Sequence, residues 1–353
     1  MKVLVVRPDG MGDVLLTGPA VRAIAASGAD VTFLAGPHGS SAAALLPGVG
    51  RVLEWRAPWI DPEPGEFDPG QVRSLVGQVR RLSPAVALVF TSFHQSPLPT
   101  ALALRMAGVP RIAAISEDYP GSLLDVRHPP PGDIPEAERN LILAREAGFE
   151  LPPGDDGRLA VTPVRLESRA LAGDGPYVVL HAGASVPARA PSPARTAAMG
   201  AALAAAGHRL VVTGSAAESA LTGAVCQAAA AGPGPGPVDL GGRTSLPELA
   251  AVLAGADVAV APNTGAAHLA AAVGTPVVSL FAPVVPAARW APYGVPAIAL
   301  GRQDAPCAGT RARVCPVPGH PCLDLIAAAD VVAAVAELAG LRSGAPVPAE
   351  VSR

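Results

Sequence analysis

A carboxylate, Asp13, closes the glycine-containing turn Arg7–Asp13 near the start of this chain of 353 residues. The turn follows the first predicted strand and opens the first predicted helix, and its glycines allow the backbone to approach a ligand closely. We expect the carboxylate of Asp13 to lie at the start of this helix and to face a cleft. The structural alternative is a helix N-cap, a position that Asp fills well. After Gly10 and Gly12 the turn lacks the third glycine of the dinucleotide-binding fingerprint, which disfavours a dehydrogenase.

Two further loops carry residue types that suit a nucleoside diphosphate. The predicted strand Tyr177–His181 is followed by the small residues Ala182–Ser185, whose backbone N–H groups are accessible to a phosphate, and then by Arg189. An arginine can pair with a diphosphate through two parallel hydrogen bonds. The next predicted strand leads into Thr213–Ser215, and Glu218 lies one turn later, where a carboxylate can accept both hydroxyls of a ribose. The alternatives are a plain glycine loop with a solvated Arg, and a surface Glu favoured by the helix dipole.

A third loop, Asn263–Ala266, follows the predicted strand Val258–Ala261. Asn263 and Thr264 can cap the helix that comes next, and the free N–H groups at a helix start attract an anion. His268 falls one turn into this helix, on the side that faces the end of the strand. A core histidine is the alternative, but the capping loop beside it favours a role in binding.

The elements that must position these loops alternate between short apolar runs and helical stretches. Lys2–Val6 and Val31–Leu34 predict strands, and the apolar spacing of Val14–Ala26 between them predicts one helix. Strands separated by helices form βαβ units with a mostly parallel sheet. The Pro- and Gly-rich segment Pro120–Pro135 is predicted to be a surface loop.

The alternation restarts after a composition break at Leu151–Pro176, which is rich in Pro and Gly. We therefore predict an α/β protein with two Rossmann-like domains, whose parallel sheets face each other across a cleft. The domains are residues 1–172 and 173–342, and residues 343–353 form a flexible tail. Because open α/β sheets bind ligands beyond the carboxyl ends of their strands, the loops described above are expected to line this cleft.

Composition and charge exclude several classes of function. Hydrophobic residues make up 50% of the chain and charged residues 16%, which excludes a mainly disordered protein. A formal net charge of −3 argues against a nucleic-acid-binding protein. Lys2 is the single lysine beside 25 arginines, so an arginine must serve wherever a side-chain cation meets phosphate.

The chain is predicted to be cytoplasmic. Met1–Arg7 runs directly into a strand pattern, whereas a secretory signal needs a longer apolar stretch and a cleavage site. The apolar segment Leu249–Ala288 is long enough to span a bilayer, but Pro and Gly residues interrupt it, which predicts a buried succession of helix, strand, helix and strand. Peripheral contact with the inner face of the membrane is left open.

Three of the four cysteines, Cys307, Cys315 and Cys322, share a Pro- and Gly-rich segment with His320. Three thiolates and an imidazole can bind zinc, but the gaps of seven and six residues between the cysteines match no common zinc finger. Reduced structural thiols in a reducing compartment are the favoured interpretation, and no metal is expected.

Taken together, the motifs resemble the ADP-heptose:lipopolysaccharide heptosyltransferase family, glycosyltransferase family 9. The resemblance runs over nearly the whole chain in four stretches: Arg7…Gly12-Asp13-Val14-Leu15-Leu16-Thr17…Pro19-Ala20, His181-Ala182-Gly183-Ala184-Ser185…Arg189, Gly214-Ser215…Glu218, and Asn263-Thr264-Gly265-Ala266-Ala267-His268-Leu269-Ala270-Ala271-Ala272.

The resemblance implies a GT-B fold and an inverting, metal-independent transfer from a nucleoside diphosphate sugar, with ADP as the expected nucleotide and without a cofactor. Asp13 matches the catalytic base of the family, in the domain that receives the acceptor. The donor is expected in the second domain, where the matching positions that meet the diphosphate, the ribose or the base are Ala184, Ser185, Arg189, Glu218, Thr244, Asn263, Thr264, Gly265, Ala266 and His268.

The sequence departs from the family pattern at two of these positions. Asn263 stands where relatives usually carry Asp, which keeps a capping residue but replaces a negative charge with a hydrogen-bond donor. Arg189 stands where relatives have Lys, without the Trp-Pro that follows it there, so Arg195 is an alternative for this role. The departure at Asn263 bears on the donor sugar more than on the fold.

The acceptor is less well indicated, and a cell-envelope glycan, a glycolipid or another hydroxyl compound is expected. Arg56, His94 and Gln95 are candidates for contacting it, with solvated surface side chains as the alternative. Two other functions stay open: an enzyme of the nucleotide-sugar epimerase type, and a catalytically degenerate protein that only binds a nucleotide sugar. The oligomeric state is not predicted.

Overall fold

The chain divides into two units, Met1–Thr162 and Pro163–Arg353. The computed structural model describes residues 1–163 and 168–342, so the predicted tail at 343–353 lies outside the described residues. Within them, each unit holds one six-stranded sheet, and all neighbouring strands are parallel. The predicted α/β class with two Rossmann-like domains is confirmed.

The sheet of the first unit has the order β3-β2-β1-β4-β5-β6. Its strands are β1 (Lys2–Arg7), β2 (Asp30–Ala35), β3 (Val49–Glu54), β4 (Val86–Val89), β5 (Arg111–Ile115) and β6 (Val126–His128). From β1 the chain builds the sheet first to one side and then, through β4, to the other. The loops that follow β1 and β4 therefore lie side by side, at the point where such sheets bind ligands.

Helices cover the faces of this sheet. They are α1 (Met11–Leu15), α2 (Gly18–Ala26), α3 (Ser40–Ala43), α4 (Pro69–Leu82), α5 (Leu98–Met106) and α6 (Glu136–Glu146). The single helix predicted for Val14–Ala26 is wrong, because the chain forms α1 and α2 instead. Pro19 lies in the first turn of α2. Its ring carries no N–H and would clash with the carbonyl four residues earlier, so a helix cannot run through this point.

The second unit repeats the same strand order, β12-β11-β10-β7-β8-β9. Its strands are β7 (Val178–His181), β8 (Leu210–Thr213), β9 (Val238–Asp239), β10 (Val258–Pro262), β11 (Val277–Leu280) and β12 (Ala297–Leu300). Here β7 occupies the place of β1 and β10 that of β4, with Leu180 opposite Val260. The loops after β7 and β10 are consequently neighbours.

The helices of the second unit are α7 (Ser168–Ala172), α8 (Pro193–Ala205), α9 (Ser219–Ala229), α10 (Leu246–Gly255), α11 (Gly265–Ala272), α12 (Ala287–Trp290), α13 (Pro321–Asp324) and α14 (Ala328–Arg342). The apolar segment Leu249–Ala288 forms α10, β10, α11 and β11, as predicted. In the part of the chain that the structure describes, no helix is both long and apolar enough to cross a membrane.

Short edge strands are what the sequence patterns missed. β6 lies within Pro120–Pro135, which was predicted to be a loop, so that prediction is wrong over three residues. The strand is only partly buried and pairs with β5, which supplies the order that its own sequence does not show. The chain divides between Thr162 and Pro163, ten residues before the predicted boundary. Helix α7 therefore lies in the second unit, where it contacts α10.

One glycine holds the first turn against the sheet. A Cβ at Gly36, just after β2, would overlap the carbonyl oxygen of Pro8 in that turn. We expect Gly36→Ala to lower the free energy of unfolding by about 1–3 kcal/mol, because rigid backbone must shift. Gly77→Ala is the matched control: its Cβ would only touch a side-chain atom of Arg81 at 3.6 Å. Since alanine favours a helix interior, this control should be at least as stable as wild type. Equal urea midpoints for both variants would contradict the argument.

Candidate active site

A buried guanidinium organises the loops at the end of β1. Arg7, the last residue of this strand, has a fully buried side chain surrounded by acidic side chains. We use the name Arg7 cluster for Arg7 and the residues around it: Asp9, Asp13, Gln95 and Glu136. These residues come from three segments, the first turn, the loop after β4 and the start of α6, which meet where the strand order reverses.

Each of the three nitrogens of the Arg7 guanidinium faces a different carboxylate. Nε lies 2.8 Å from Asp9 Oδ2, Nη2 donates a hydrogen bond of 2.7 Å to Asp13 Oδ1, and Nη1 lies 3.9 Å from Glu136 Oε2. Burial by itself would lower the pKa of Arg7, but the charges of the three carboxylates raise it above its ordinary value. Arg7 is therefore a permanent positive charge in the interior, and it needs these acidic partners.

Among the three carboxylates around Arg7, Asp13 has the most exposed side chain. Its side chain is 26% exposed, against 8% for Asp9 and 0% for Glu136. The N-cap of α1 is Gly10, so the alternative interpretation of Asp13 as a helix cap is wrong. The side chain lies instead in the first turn of α1, with its carboxylate held by Arg7.

Asp9 is a second carboxylate in the same turn, with different properties. Burial raises its pKa to about 6, and the nearby Asp13 and Glu136 act in the same direction, while Arg7 opposes them. Gln95 donates a hydrogen bond of 2.6 Å from Nε2 to Asp9 Oδ1 and accepts one of 2.9 Å from the backbone N–H of Ser92. The loop after β4 thus fixes the orientation of Asp9.

The start of α6 closes the cluster from behind. Arg139 Nη1 donates to Glu136 Oε2 at 3.3 Å and to the carbonyl oxygen of Thr91 at 2.6 Å. The side chains of Glu136 and Arg139 are both buried. Arg7, Asp9, Glu136 and Arg139 were not predicted as site residues. A possible signal was a charged residue at the end of an entirely apolar strand, since such a residue must find partners.

In the second unit, Glu218, the residue predicted to hold a ribose, lies beyond the end of β8. Its Oε2 accepts hydrogen bonds from the backbone N–H and the hydroxyl of Ser215, at 2.7 and 2.8 Å. A Cβ at Gly183, in the loop after β7, would overlap the Glu218 carboxylate. The glycine therefore allows these two loops to approach each other. His181 Nδ1 lies 3.0 Å from Thr213 Oγ1, and burial lowers the pKa of this histidine, so it is neutral at pH 7.

The loop after β10 has the predicted form at the start of α11. Thr264 is the N-cap, and its hydroxyl accepts a hydrogen bond of 3.1 Å from the backbone N–H of Ala266. Asn263 lies before the cap and is 3% exposed, and its Nδ2 has no hydrogen-bond partner among the described residues. His268 is also buried at 3% exposure, within α11. Asn263 and His268 thus both lie buried near the capped start of α11.

The remaining donor candidates lie around the same sheet edge. Ala184 is partly buried and Ser185 exposed in the loop after β7, and Arg189 ends a 3-10 turn at Pro187–Arg189. Arg195 is partly buried in the first turn of α8. Thr244 directly precedes Ser245, which caps α10.

The acceptor candidates do not form one group. Arg56 pairs with Asp61 at 2.9 Å within its own loop, and exposed His94 contacts Phe93 edge-on at a ring distance of 5.3 Å. Gln95 belongs to the Arg7 cluster, where its amide is already engaged.

The cysteine segment folds into a thiol cluster. Cys307 and Cys322 are buried, and burial together with Cys307 and Cys315 raises the pKa of Cys322 to about 12. The Cys322 thiol is therefore protonated at neutral pH. Among residues 1–163 and 168–342, no group of three or more His, Cys, Asp or Glu side chains has the arrangement of a metal site.

Two Rossmann-like units, each with one parallel six-stranded sheet, are the layout of the GT-B fold. The model of glycosyltransferase family 9 (heptosyltransferase) matches residues 95–320, which is more than half of the chain. The chain therefore belongs to glycosyltransferase family 9. This confirms the resemblance derived from its motifs, and with it the prediction of a glycosyltransferase.

Individual relatives agree with this assignment. Lipopolysaccharide heptosyltransferase 1 of Pseudomonas aeruginosa is 47% identical over 73 residues, which are 21% of this chain and 20% of that protein. The chain thus matches only about a fifth of the length of this curated relative. The Escherichia coli ADP-heptose lps heptosyltransferase II has a TM-score of 0.75 at 20% identity, with 98% of this chain and 100% of that chain covered.

A family 9 glycosyltransferase from Veillonella parvula has a TM-score of 0.74 at 15% identity, with 96% and 97% covered. The E. coli heptosyltransferase WaaC with ADP has a TM-score of 0.68 at 18% identity, with 96% and 100% covered. At these identities the structural likeness establishes the GT-B fold alone. The domain boundary and the roles of the site residues stay predictions.

Proposed function

We propose that this protein is an inverting glycosyltransferase that moves a sugar from a nucleoside diphosphate sugar to an acceptor hydroxyl, with Asp13 as the general base. The observation that carries the proposal is the difference in exposure within the Arg7 cluster. Of the three carboxylates around Arg7, Asp13 has the largest accessible fraction, 26%, so it is the one best able to meet a hydroxyl from outside. Asp9 and Glu136 are less accessible, so neither competes with Asp13 for the role of base.

In the proposed reaction, Asp13 takes the proton of the acceptor hydroxyl while the hydroxyl oxygen attacks the anomeric carbon of the donor sugar. The bond between that carbon and the diphosphate oxygen breaks, and the nucleoside diphosphate leaves with the electron pair. Attack from the face opposite to the leaving group inverts the anomeric configuration. A positioned base typically contributes ~10²–10⁴-fold to such a step.

The second unit supplies the donor site in this proposal. The loops after β7 and β10 are neighbours and present small residues and a capped helix start, which suit the negative charge of a diphosphate. Arg189 is the proposed cation in this site, because the only lysine of the chain is Lys2, in β1. Glu218 would accept the ribose hydroxyls, and Asn263 Nδ2 is a buried donor without a partner in the described residues.

We further propose an ADP-linked sugar of the heptose type as donor, with a cell-envelope glycan or glycolipid as acceptor and no catalytic metal. Support for the donor comes from the relatives: one is named lipopolysaccharide heptosyltransferase 1, and another ADP-heptose lps heptosyltransferase II. We place the reaction at the cytoplasmic face of the membrane, where such an acceptor would be presented.

Replacing the base tests the proposed mechanism. We expect Asp13→Asn to lower kcat ~10²–10⁴-fold, because the side chain keeps its shape but loses the ability to take a proton. Its affinity for ADP-heptose, measured by calorimetry, should stay close to that of wild type. Asp68→Asn is the matched control, since Asp68 only caps α4 and asparagine caps equally well. Transfer by Asp13→Asn at the wild-type rate would refute the assignment.

The ribose contact can be tested with a pair of equivalent glutamates. Glu218 and Glu248 each accept a backbone N–H and a hydroxyl from a serine three residues earlier, with distances of 2.7–2.8 Å. Glutamine can form the same capping box, so both Glu→Gln variants should fold. We expect only Glu218→Gln to weaken ADP binding, by roughly tenfold for one charge-assisted hydrogen bond. Thermal shifts with ADP, GDP, UDP and dTDP sugars identify the base in parallel. Equal losses in both variants would contradict the ribose site.

A further inference from the structure

We propose that Asp9, oriented by Gln95, is a positioning residue that shares the charge of Arg7 and thereby keeps Asp13 basic enough to take a proton. The proposal rests on the proposed role of Asp13 and concerns what sets its strength as a base. It assigns Gln95 to this task instead of to contact with the acceptor. The effect passes through Arg7, which lies between the two carboxylates.

The geometry gives Arg7 two partners from the same turn. Asp9 is 2.8 Å from Nε and Asp13 is 2.7 Å from Nη2, so neither carboxylate has the guanidinium to itself. Arg7 is fully buried, and solvent cannot screen this interaction as it would at the surface. The charge that Asp13 experiences therefore depends on whether Asp9 is ionised.

A general base needs affinity for a proton, and a nearby positive charge reduces the proton affinity of a carboxylate. If Asp9 were neutral, the positive charge of Arg7 would act mainly on Asp13, which would hold its proton too weakly to assist the attack. With Asp9 ionised, the guanidinium is largely compensated, and proton uptake by Asp13 is less unfavourable. Asp9 thus favours catalysis without touching substrate.

The segments packed around Arg7 bring both charged and uncharged side chains to it. The first turn brings Asp9 and Asp13, α6 brings Glu136 with its partner Arg139, and the loop after β4 brings the uncharged Ser92 and Gln95. The loop after β2, which packs on the same turn, carries exposed His38. Asp9 is a titratable group in direct contact with Arg7, and burial raises its pKa to about 6.

The sign of the pH effect follows. Above pH 6 Asp9 is ionised and compensates Arg7, and as the pH falls through about 6 it takes up a proton and the compensation is lost. Transfer should therefore decline below about pH 6 because of Asp9. Because asparagine cannot ionise, Asp9→Asn would leave Arg7 without this compensating charge at every pH.

The experiment measures ADP release from ADP-heptose, with a truncated lipopolysaccharide as acceptor, between pH 4.5 and 8. For Asp9→Asn we expect kcat at pH 7.5 to fall about tenfold, the change expected when a base weakens by roughly one to two pKa units, and the inflection near pH 6 to disappear. For Gln95→Leu we expect a smaller fall in kcat and an unchanged KM for the acceptor. Asp125→Asn is the control, since it breaks the pair with Arg105 elsewhere in the same unit and should leave kcat and pH profile unchanged.

A second readout does not depend on the acceptor. In protein labelled with ¹³C at the Asp carboxyl groups, the titration of Asp13 should move to lower pH in Asp9→Asn, with circular dichroism confirming the fold. Gln95→Leu tests the same link if the charge change prevents folding. An unchanged Asp13 titration, or a raised acceptor KM with normal kcat in Gln95→Leu, would overturn the proposal. Full transfer by Asp13→Asn would instead refute the base assignment, whatever the titration shows.

Discussion

The buried charge of Arg7 is the constraint on which the first unit depends. An arginine does not lose its proton in a protein, so a guanidinium at the end of a central strand must be met by acids from elsewhere in the fold. The first turn provides two, and α6 provides a third. Removing one partner from such a buried set typically costs about 3–5 kcal/mol. The ion pairs that stabilise the buried charge of Arg7 therefore also hold the first turn, the loop after β4 and α6 in one arrangement.

Strand order explains why these segments can meet at all. In both units the sheet grows from a central strand to one side and then to the other, which leaves two neighbouring loops at the reversal. The first unit uses this position for charged side chains. The second uses it for small residues and backbone N–H groups, with Gly183 making room for Glu218. One topology thus supports both the proposed base in the first unit and the proposed diphosphate site in the second.

Asn263 is the main departure of this chain from its family in that second site. An aspartate there would bring a negative charge next to a helix start that attracts anions, whereas the amide offers a donor without charge repulsion. Its Nδ2 is buried and lacks a partner in the described residues, a state that costs free energy unless a ligand supplies the acceptor. In the proposed donor site, Asn263 Nδ2 therefore offers a buried donor to the nucleotide sugar.

The sequence by itself determined the α/β class, the three loops beyond strand ends and the family, because apolar runs and small-residue motifs are local signals that each segment carries alone. It did not reveal the edge strands β3, β6, β9 and β12, whose mixed sequences become strands only beside a neighbour. Nor could it show that Arg7 meets Glu136, or that the amide of Gln95 is engaged by Asp9. Those contacts join residues far apart in the chain, and only the reversal of strand order brings them within reach.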